Sequence, residues 1–386
     1  MRSTESFDIA IVGSGPAGSA AAIRLASAGR RVVLVERKQF PREKLCGEFV
    51  SPECKTHFED LGVGKLIDAS SPAAIDRTVF YSQSGREVVI NSAWFGQGKG
   101  SASGVSRAKL DSVLAAKAEE CGAEVRFGSK VVDLIHDSNL VVGVSVRSDD
   151  GVKTDIRAPL ILDATGRQRA VSNLCQSENG SKSAARFVAF KTHLRNVDIE
   201  GGSCEIYVYP GGYGGCNSVE DGLVNICFVV DSRSVKEVSN DPGQLIQKVL
   251  FQNSRARKAL ADLEVAKPWI SMPIENSPVW NVRPAIGILA VGDAAAYIDP
   301  FTGSGILMAL ESGKVVSEAI LNYGDDVKAI SAAYELAYGM TFRKRLQISA
   351  LLRNAAFRPR VSEFLISALS FSEGVARRIA RATRSA

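Results

Sequence analysis

"DIAIVGSGPAGSAAAIRLASAGRRVVLVERK" occupies residues 8–38, and its reading decides the fold of the chain. An apolar run over 7–12 reads as a buried strand and enters Gly13, Gly15 and Gly18, spaced G-x-G-x-x-G. "PAGSAAAIRLASAG" then reads as a helix, with Pro16 at its start and Gly29 just past its end, the ends those two residues favour. "RRVVLVE" reads as a second strand. The glycines thus sit in a complete βαβ unit. Gly13 permits the tight turn, Gly15 lets the backbone approach a pyrophosphate, and Gly18 permits close helix–strand packing. The helix N-terminus adds free N–H groups and peptide dipoles for the anion. Glu36 closes the second strand, where its carboxylate can accept bonds from two ribose hydroxyls. It would repel a 2′-phosphate, so the unit predicts FAD or NAD rather than NADP at this site.

The 386 residues suffice for one large core or two domains. A net charge of +5 is too modest to indicate nucleic acid. Seven scattered cysteines without a C-x-x-C pair argue against a disulfide framework and fit a reducing, cytoplasmic setting. The three histidines, His57, His136 and His193, share no metal-like spacing, so no metal is expected. A strand predicted to begin at Phe7 leaves no room for a signal peptide. No apolar run reaches the roughly 20 residues of a membrane span.

Farther along, residues 104–134 read as loop, helix and strand, with Leu110, Val113, Leu114 and Ala118 on the packed side and Gly122 as the stop. "GVKTDIRAPLILDATG" ends a strand at Asp163 and turns at Gly166. From 176 to 280, short alternating runs predict a mostly antiparallel sheet. Residues 285–320 return to strand–turn–helix, and 326–386 read as helices. The expected class is α/β, a Rossmann-like cofactor domain with an inserted antiparallel substrate sheet and C-terminal helices. Its expected parts are 1–175 (with a substrate-domain excursion over 76–100), 176–280, 281–325 and 326–386.

Three later stretches bear on the cofactor. Gly292-Asp293 ends the strand "GILAV", where a carboxylate can accept a bond from a ribityl hydroxyl. The helix starting near Gly303–Gly305 aims N–H groups that would stabilise a reduced, anionic flavin. "LDATGRQR" is a tight turn beside the dinucleotide, and Arg107 is either a surface charge or a contact to phosphate or flavin.

In their order around a βαβ unit, these stretches resemble the FAD-dependent oxidoreductases related to aromatic hydroxylases. "GSGPAGSAAA", "DATGR" and "VGDAAAYIDPFTGSGILMALESG" carry the likeness. Within that superfamily, "REKLCGEFVSP", "DPFTGSGILMALESG" and "YPGGYGG…GLVNICFVV" resemble the geranylgeranyl reductase branch, over residues 7 to about 320. The resemblance implies that Gly13, Ser14, Gly15, Ala17 and Gly18 hold the pyrophosphate and Glu36 the ribose. It implies that Arg107 and Asp293 contact FAD, that Gly305 and Ile306 offer backbone to the pyrimidine edge, and that Cys46 and Gly47 lie beside the isoalloxazine. The candidate cofactor set also takes in Pro16, Arg37, Val132, Asp163, Gly166, Gly292, Pro300 and Gly303. The chain departs from the hydroxylases in having no His after Gly-Asp-Ala-Ala. It departs from the halogenases in lacking Trp-x-Trp-x-Ile-Pro at "KPWISMPI". It departs from the reductases in having glycines where an aromatic follows Gly-Tyr.

Cys46 is the candidate catalytic residue: its thiol either protonates a substrate carbon or packs on the flavin. Glu48 is placed to orient a ribityl or substrate hydroxyl. Tyr207, Tyr209, Tyr213 and Phe301 are the candidate substrate residues, the first two sharing one strand face at period two. That face is either pocket wall or ordinary core. The basic, apolar-studded tail is either a solvated helical cap or a surface for peripheral membrane contact. The resemblance implies an FAD enzyme transferring hydride at an apolar or lipid-like isoprenoid, aromatic or polyketide substrate, by double-bond reduction or dehydrogenation. An NAD(P)H-dependent monooxygenase is the close alternative. A non-catalytic electron relay or an NAD-binding structural protein belongs to other classes. NADH, NADPH or a redox partner protein would supply electrons, since no second dinucleotide fingerprint is present.

Overall fold

The computed structural model describes residues 3–95, 100–175, 185–274 and 280–384. The expected part boundary at 175/176 borders one undescribed stretch, and residues 96–99 of the expected excursion lie outside the described residues.

Five short strands form a parallel sheet, in the order Ile288–Ala290, Leu160–Asp163, Ile9–Val12, Val32–Val35, Glu124–Arg126. Every residue of Ile9–Val12 and Val32–Val35 is buried, as expected of a parallel sheet covered on both faces. Helices Pro16–Ser27, Arg107–Glu120 and Gly305–Tyr323 cover one face, with Ile11, Leu34, Leu110, Leu289 and Leu307 in one core. The other face packs, through Val33, Val35 and Ile161, on a four-stranded sheet carrying Val144, Val146 and Ile156. The strand predicted from residue 7 starts at Ile9, because Ser3–Ser6 leaves to pair in parallel with Lys153–Arg157. The helix after the glycines runs Pro16–Ser27, and Gly29 follows it at φ +83°.

The second body is an eight-stranded sheet. Its path runs Glu264–Val265, Phe187–Arg195, Val224–Asp231, Gly212–Ser218, Ser203–Tyr209, Arg77–Tyr81, Glu87–Asn91, and Ile270–Ile274 also pairs with Phe187–Arg195. All its pairs are antiparallel except Ser203–Tyr209 with Arg77–Tyr81. Strand alternation gives this sheet two apolar faces. Along Ser203–Tyr209, Cys204 and Ile206 turn toward the cofactor domain. Tyr207 and Tyr209 pack on the far side with Leu245, Ile246 and Leu250 of the helical segment 242–252.

Helix Val327–Ala356 packs on Gly305–Tyr323 through Tyr334, Tyr338 and Phe342. Helices Pro359–Ser370 and Glu373–Ala382 then cross back to the strand Glu87–Asn91, so the tail bridges both bodies.

Candidate active site

A cavity of about 270 Å³ lies between the parallel sheet's carboxyl end and the large sheet, where open α/β sheets place ligands. Its first end is the glycine turn. Gly13 has φ +106°, and a Cβ there would stand 2.4 Å from the Ala164 carbonyl oxygen. A Cβ on Gly18 would stand 2.0 Å from the Gly13 carbonyl oxygen, so helix and turn meet backbone to backbone. Gly15 has space, with only the Arg107 guanidinium at 3.5 Å. Gly13, Gly15, Pro16 and Ala17 line the cavity.

Glu36 is buried at this end and lines the cavity. Its carboxylate accepts from the Ser14 amide (3.1 Å) and the Lys38 amide (3.0 Å) and pairs with Arg42 (3.4 Å). It is thus held rigidly beside the loop. Arg37, Ser129, Lys130 and Val131 complete the wall. Val132, expected here, does not line the cavity, because it falls in the irregularity between Val131 and Asp133. Ser14 is also displaced from a direct role: its amide goes to Glu36 and its hydroxyl to Ser19.

Positive charge gathers at the middle. Arg107, the first residue of its helix, is buried and grips Asp111 with two bonds of 2.8 Å. Lys44 stands near Gly166. Burial pushes its ammonium down to about 8, and Arg107 and Arg42 push the same way. Nη1 of Arg167 is buried without a hydrogen-bond partner, while Nη1 of Arg42 stands 3.0 Å from the Asp111 carboxylate. Burial raises the Asp293 carboxyl above the usual range, while Arg167, Lys44 and Arg107 pull it back. Asp163, by contrast, does not line the cavity. Its carboxylate accepts from the amides and hydroxyls of Thr165 and Ser172 and is consumed in shaping the turn.

These features fit FAD. There is a backbone cradle a side chain would fill, a held carboxylate for ribose, an unpartnered buried Arg167 nitrogen for phosphate or flavin oxygens, and a cavity-lining Asp293 for the ribityl chain. Gly292, Pro300, Gly303, Gly305 and Ile306 line the far end, as expected. Asp299 holds their turn through the Phe301 amide (3.0 Å) and the Tyr213 hydroxyl.

At that end Cys46 is half-buried and cavity-lining. Its sulfur accepts the Glu48 amide (3.3 Å), and the Arg107 guanidinium faces it. Asn225 Nδ2 holds the Gly47 carbonyl at 3.0 Å. Glu48, at φ +54°, is fully buried. One oxygen accepts from the Arg107 amide (2.9 Å) and pairs with Lys191 (3.1 Å); the other meets His193 Nε2 at 2.6 Å. Lys191 also bonds Glu43 at 2.7 Å, and Lys267 bonds Glu43 at 2.6 Å. Burial raises the Glu43 carboxyl, but Lys191 and Lys267 prevail and hold it at about 2. The Glu43–Glu48–His193 cluster is spaced as metal ligands could be; Lys191 and Lys267 together balance its two carboxylates.

Sequence reasoning missed this network. Its signal was Lys191 and His193 on one face of the otherwise apolar strand "RFVAFKTHL". It left the Tyr207 and Tyr209 face open between pocket wall and ordinary core, and the structure makes it core. Their hydroxyls go to Glu205 (2.8 Å) and the Val229 carbonyl (3.0 Å) on the far face. Tyr213 and Phe301 do line the cavity, with Thr78, Phe80, Phe95 and Ile206.

A second, almost wholly apolar cavity of about 120 Å³ adjoins the first, sharing Phe80, Phe95, Phe301 and Thr302. Leu352, Leu365, Ile366 and Leu369 of the C-terminal helices roof it.

Residues 6–314 match the model of a family described as "FAD binding domain". The chain is 26% identical over 357 residues to a digeranylgeranylglycerophospholipid reductase 2 of Methanopyrus kandleri, covering 89% of this chain and 86% of that one. It is 29% identical over 380 residues to a menaquinone reductase of Mycobacterium tuberculosis, covering 93% and 87%. Among solved structures, a geranylgeranyl bacteriochlorophyll reductase-like protein from Thermoplasma acidophilum superposes with a TM-score of 0.80 at 21% identity, covering 98% and 96%. The flavin-dependent brominase Bmp2 superposes at 0.78 with 22% identity, covering 97% and 93%, so these two share the fold.

Proposed function

The chain belongs to the FAD-binding domain family and is an FAD-dependent oxidoreductase of the geranylgeranyl reductase-like branch, and from that premise we propose that it reduces a carbon–carbon double bond in an isoprenoid-type lipid. The observation that carries this reading is the pair of joined cavities. The first reaches Cys46 and the Pro300–Ile306 turn; the second extends beneath the C-terminal helices behind an almost purely carbon wall. A flat polar substrate would waste that wall, whereas an apolar chain buries surface along it. The relatives named as acting on a digeranylgeranyl phospholipid and on menaquinone support the same choice.

Bound and reduced, FAD supplies the hydride. The remaining work falls to side chains of this protein. Phe80, Phe95 and Phe301 line the passage and exclude water from the reacting carbons. The Cys46 S–H bond breaks and its proton passes to the carbon that receives no hydride. The thiolate so formed faces the Arg107 guanidinium and the Glu48 amide, and water restores its proton. Asn225, Lys191 and His193 hold the Cys46–Glu48 loop in place for that transfer.

The test is anaerobic titration with NADH and NADPH, then addition of a prenylated lipid, with products followed by mass spectrometry. This reading expects flavin bleaching by one nicotinamide, recolouring on lipid addition, and a product heavier by two hydrogens per bond reduced. If the lipid is left unreduced and, once air is admitted, oxygen is consumed with a hydroxylated product, monooxygenation replaces it. Bleaching by neither nicotinamide would assign electron delivery to a redox partner protein.

A further inference from the structure

The helix Pro359–Ser370 has three kinds of side. Ser362 and Ile366 are buried, and Leu365 and Leu369 roof the second cavity. Two of its polar residues are also turned to protein: Ser367 accepts from Arg86 at 2.9 Å, and Glu363 meets Ser84 and Arg86 at the turn of the Arg77–Asn91 hairpin. The third side faces outward and is apolar. Val361, Phe364, Ala368 and Phe371 recur at three- and four-residue steps, so they form one stripe. Phe364 is 71% exposed and Phe371 89% exposed. This inverts the usual arrangement, in which a surface helix gives its polar side to water.

Charge surrounds the stripe. Arg358, Arg360 and Arg378 are exposed and form no ion pair among the described residues. Val375 adds apolar surface, and Arg377 and Arg381 are exposed on the same helix, Glu373–Ala382. Exposed aromatics bordered by arginines complement an interface of acyl chains beneath anionic headgroups. No helix among the described residues is long and apolar enough to cross a membrane, so the contact lies along the surface.

We propose that the outer face of helices Pro359–Ser370 and Glu373–Ala382 docks on an anionic lipid bilayer. Phe364 and Phe371 enter the headgroup–acyl boundary while the arginines meet the headgroups. The same helices roof the second cavity, so docking sets its roof against the bilayer. That the bilayer supplies the substrate rests on the function proposed above; the docking itself is testable without substrate.

The experiment is flotation of FAD-loaded protein with phosphatidylcholine vesicles, alone or containing phosphatidylglycerol, at low and high salt. Binding to the anionic vesicles that weakens with salt is expected. Phe364→Ser/Phe371→Ser should lower it at least tenfold with the flavin spectrum and melting temperature unchanged. Arg358→Gln/Arg360→Gln/Arg378→Gln should remove most of its salt dependence. Absence of anionic-vesicle binding, or binding indifferent to both variants, overturns the proposal. So does light scattering that shows a dimer split by the Phe variant while vesicle binding persists, since the stripe would then seat a second copy. Docking without conversion of any prenylated lipid would retain the docking and count against the substrate reading.

Discussion

Replacing Lys191 by Met tests the network beneath the Cys46 loop. Met is close to Lys in length and leaves no large void, so the loss is chiefly electrostatic. Lys191 is almost wholly buried between two carboxylates, 2.7 Å from Glu43 and 3.1 Å from Glu48. Removing one partner of a buried ion pair costs about 3–5 kcal/mol, because the other charge is left in a poor solvent. Glu43 is partly exposed and keeps Lys267, so the damage concentrates on Glu48, which retains the Arg107 amide and His193. We expect about 3 kcal/mol at pH 7 by the same reasoning. For a cooperative unit of 386 residues, that is a melting temperature lower by about 4 °C. The pH dependence has a definite sign. The Glu43 carboxyl is held at about 2 in the fold, against 4.5 ordinarily. Its stabilisation is present above 4.5 and is lost as pH falls toward 2. The gap between wild type and Lys191→Met should therefore narrow below pH 4.5. Urea unfolding of the FAD-free proteins from pH 2.5 to 7 measures it, and adding Glu48→Gln should recover part of the loss. A variant within about 0.5 kcal/mol of wild type at pH 7, the range of an ordinary surface change, would refute the reasoning. So would a gap that stays constant with pH.

Other outcomes follow from single residues. Gly13→Ala places a methyl 2.4 Å from the Ala164 carbonyl oxygen at φ +106°, so purified protein should lose its absorption near 450 nm while keeping its far-ultraviolet dichroism. Cys46→Ala should retain full FAD and nicotinamide reduction yet lower lipid reduction about 10²-fold or more, the usual worth of a positioned proton donor; unchanged turnover in single-turnover assays would remove the thiol from the chemistry. Lys44 sits near pH 8 in the unliganded fold, and a bound pyrophosphate favours its charged form. FAD affinity, followed by fluorescence quenching, should therefore fall about fivefold between pH 8 and 9, and Lys44→Gln should flatten that slope. Asp163→Ala should lower the melting temperature, since the Thr165–Ser172 turn loses its acceptor. Asp293→Asn should instead lower FAD affinity with little change in stability.

The local βαβ unit was legible because its constraints are short-ranged: glycine turn, helix ends and buried strands all lie within thirty residues. Glu36 and Asp293 were legible for the same reason, each ending a strand beside a predicted turn. The middle sheet was legible as alternation, but alternation does not say which face meets the cofactor. Tyr207 and Tyr209 therefore stood open between pocket wall and core, and Cys204 and Ile206 hold the pocket side. Asp163 and Val132, read as cofactor candidates, do not line the cavity, since a turn's internal hydrogen bonds and a strand irregularity reorient groups that composition treats alike.

By itself, the sequence determined that a dinucleotide cradle exists, where its glycines and carboxylates stand, and that a second sheet interrupts the domain. Only the tertiary structure decided that Lys191 and His193 reach across 143 residues or more to Glu48, and that the tail roofs an apolar passage joined to the cofactor site. The physical reason is the range of the forces involved. Backbone hydrogen bonds and steric limits act between near neighbours and leave their mark as spacing. Buried charge pairing and cavity shape depend on which distant faces meet, and that outcome belongs to packing of the whole chain.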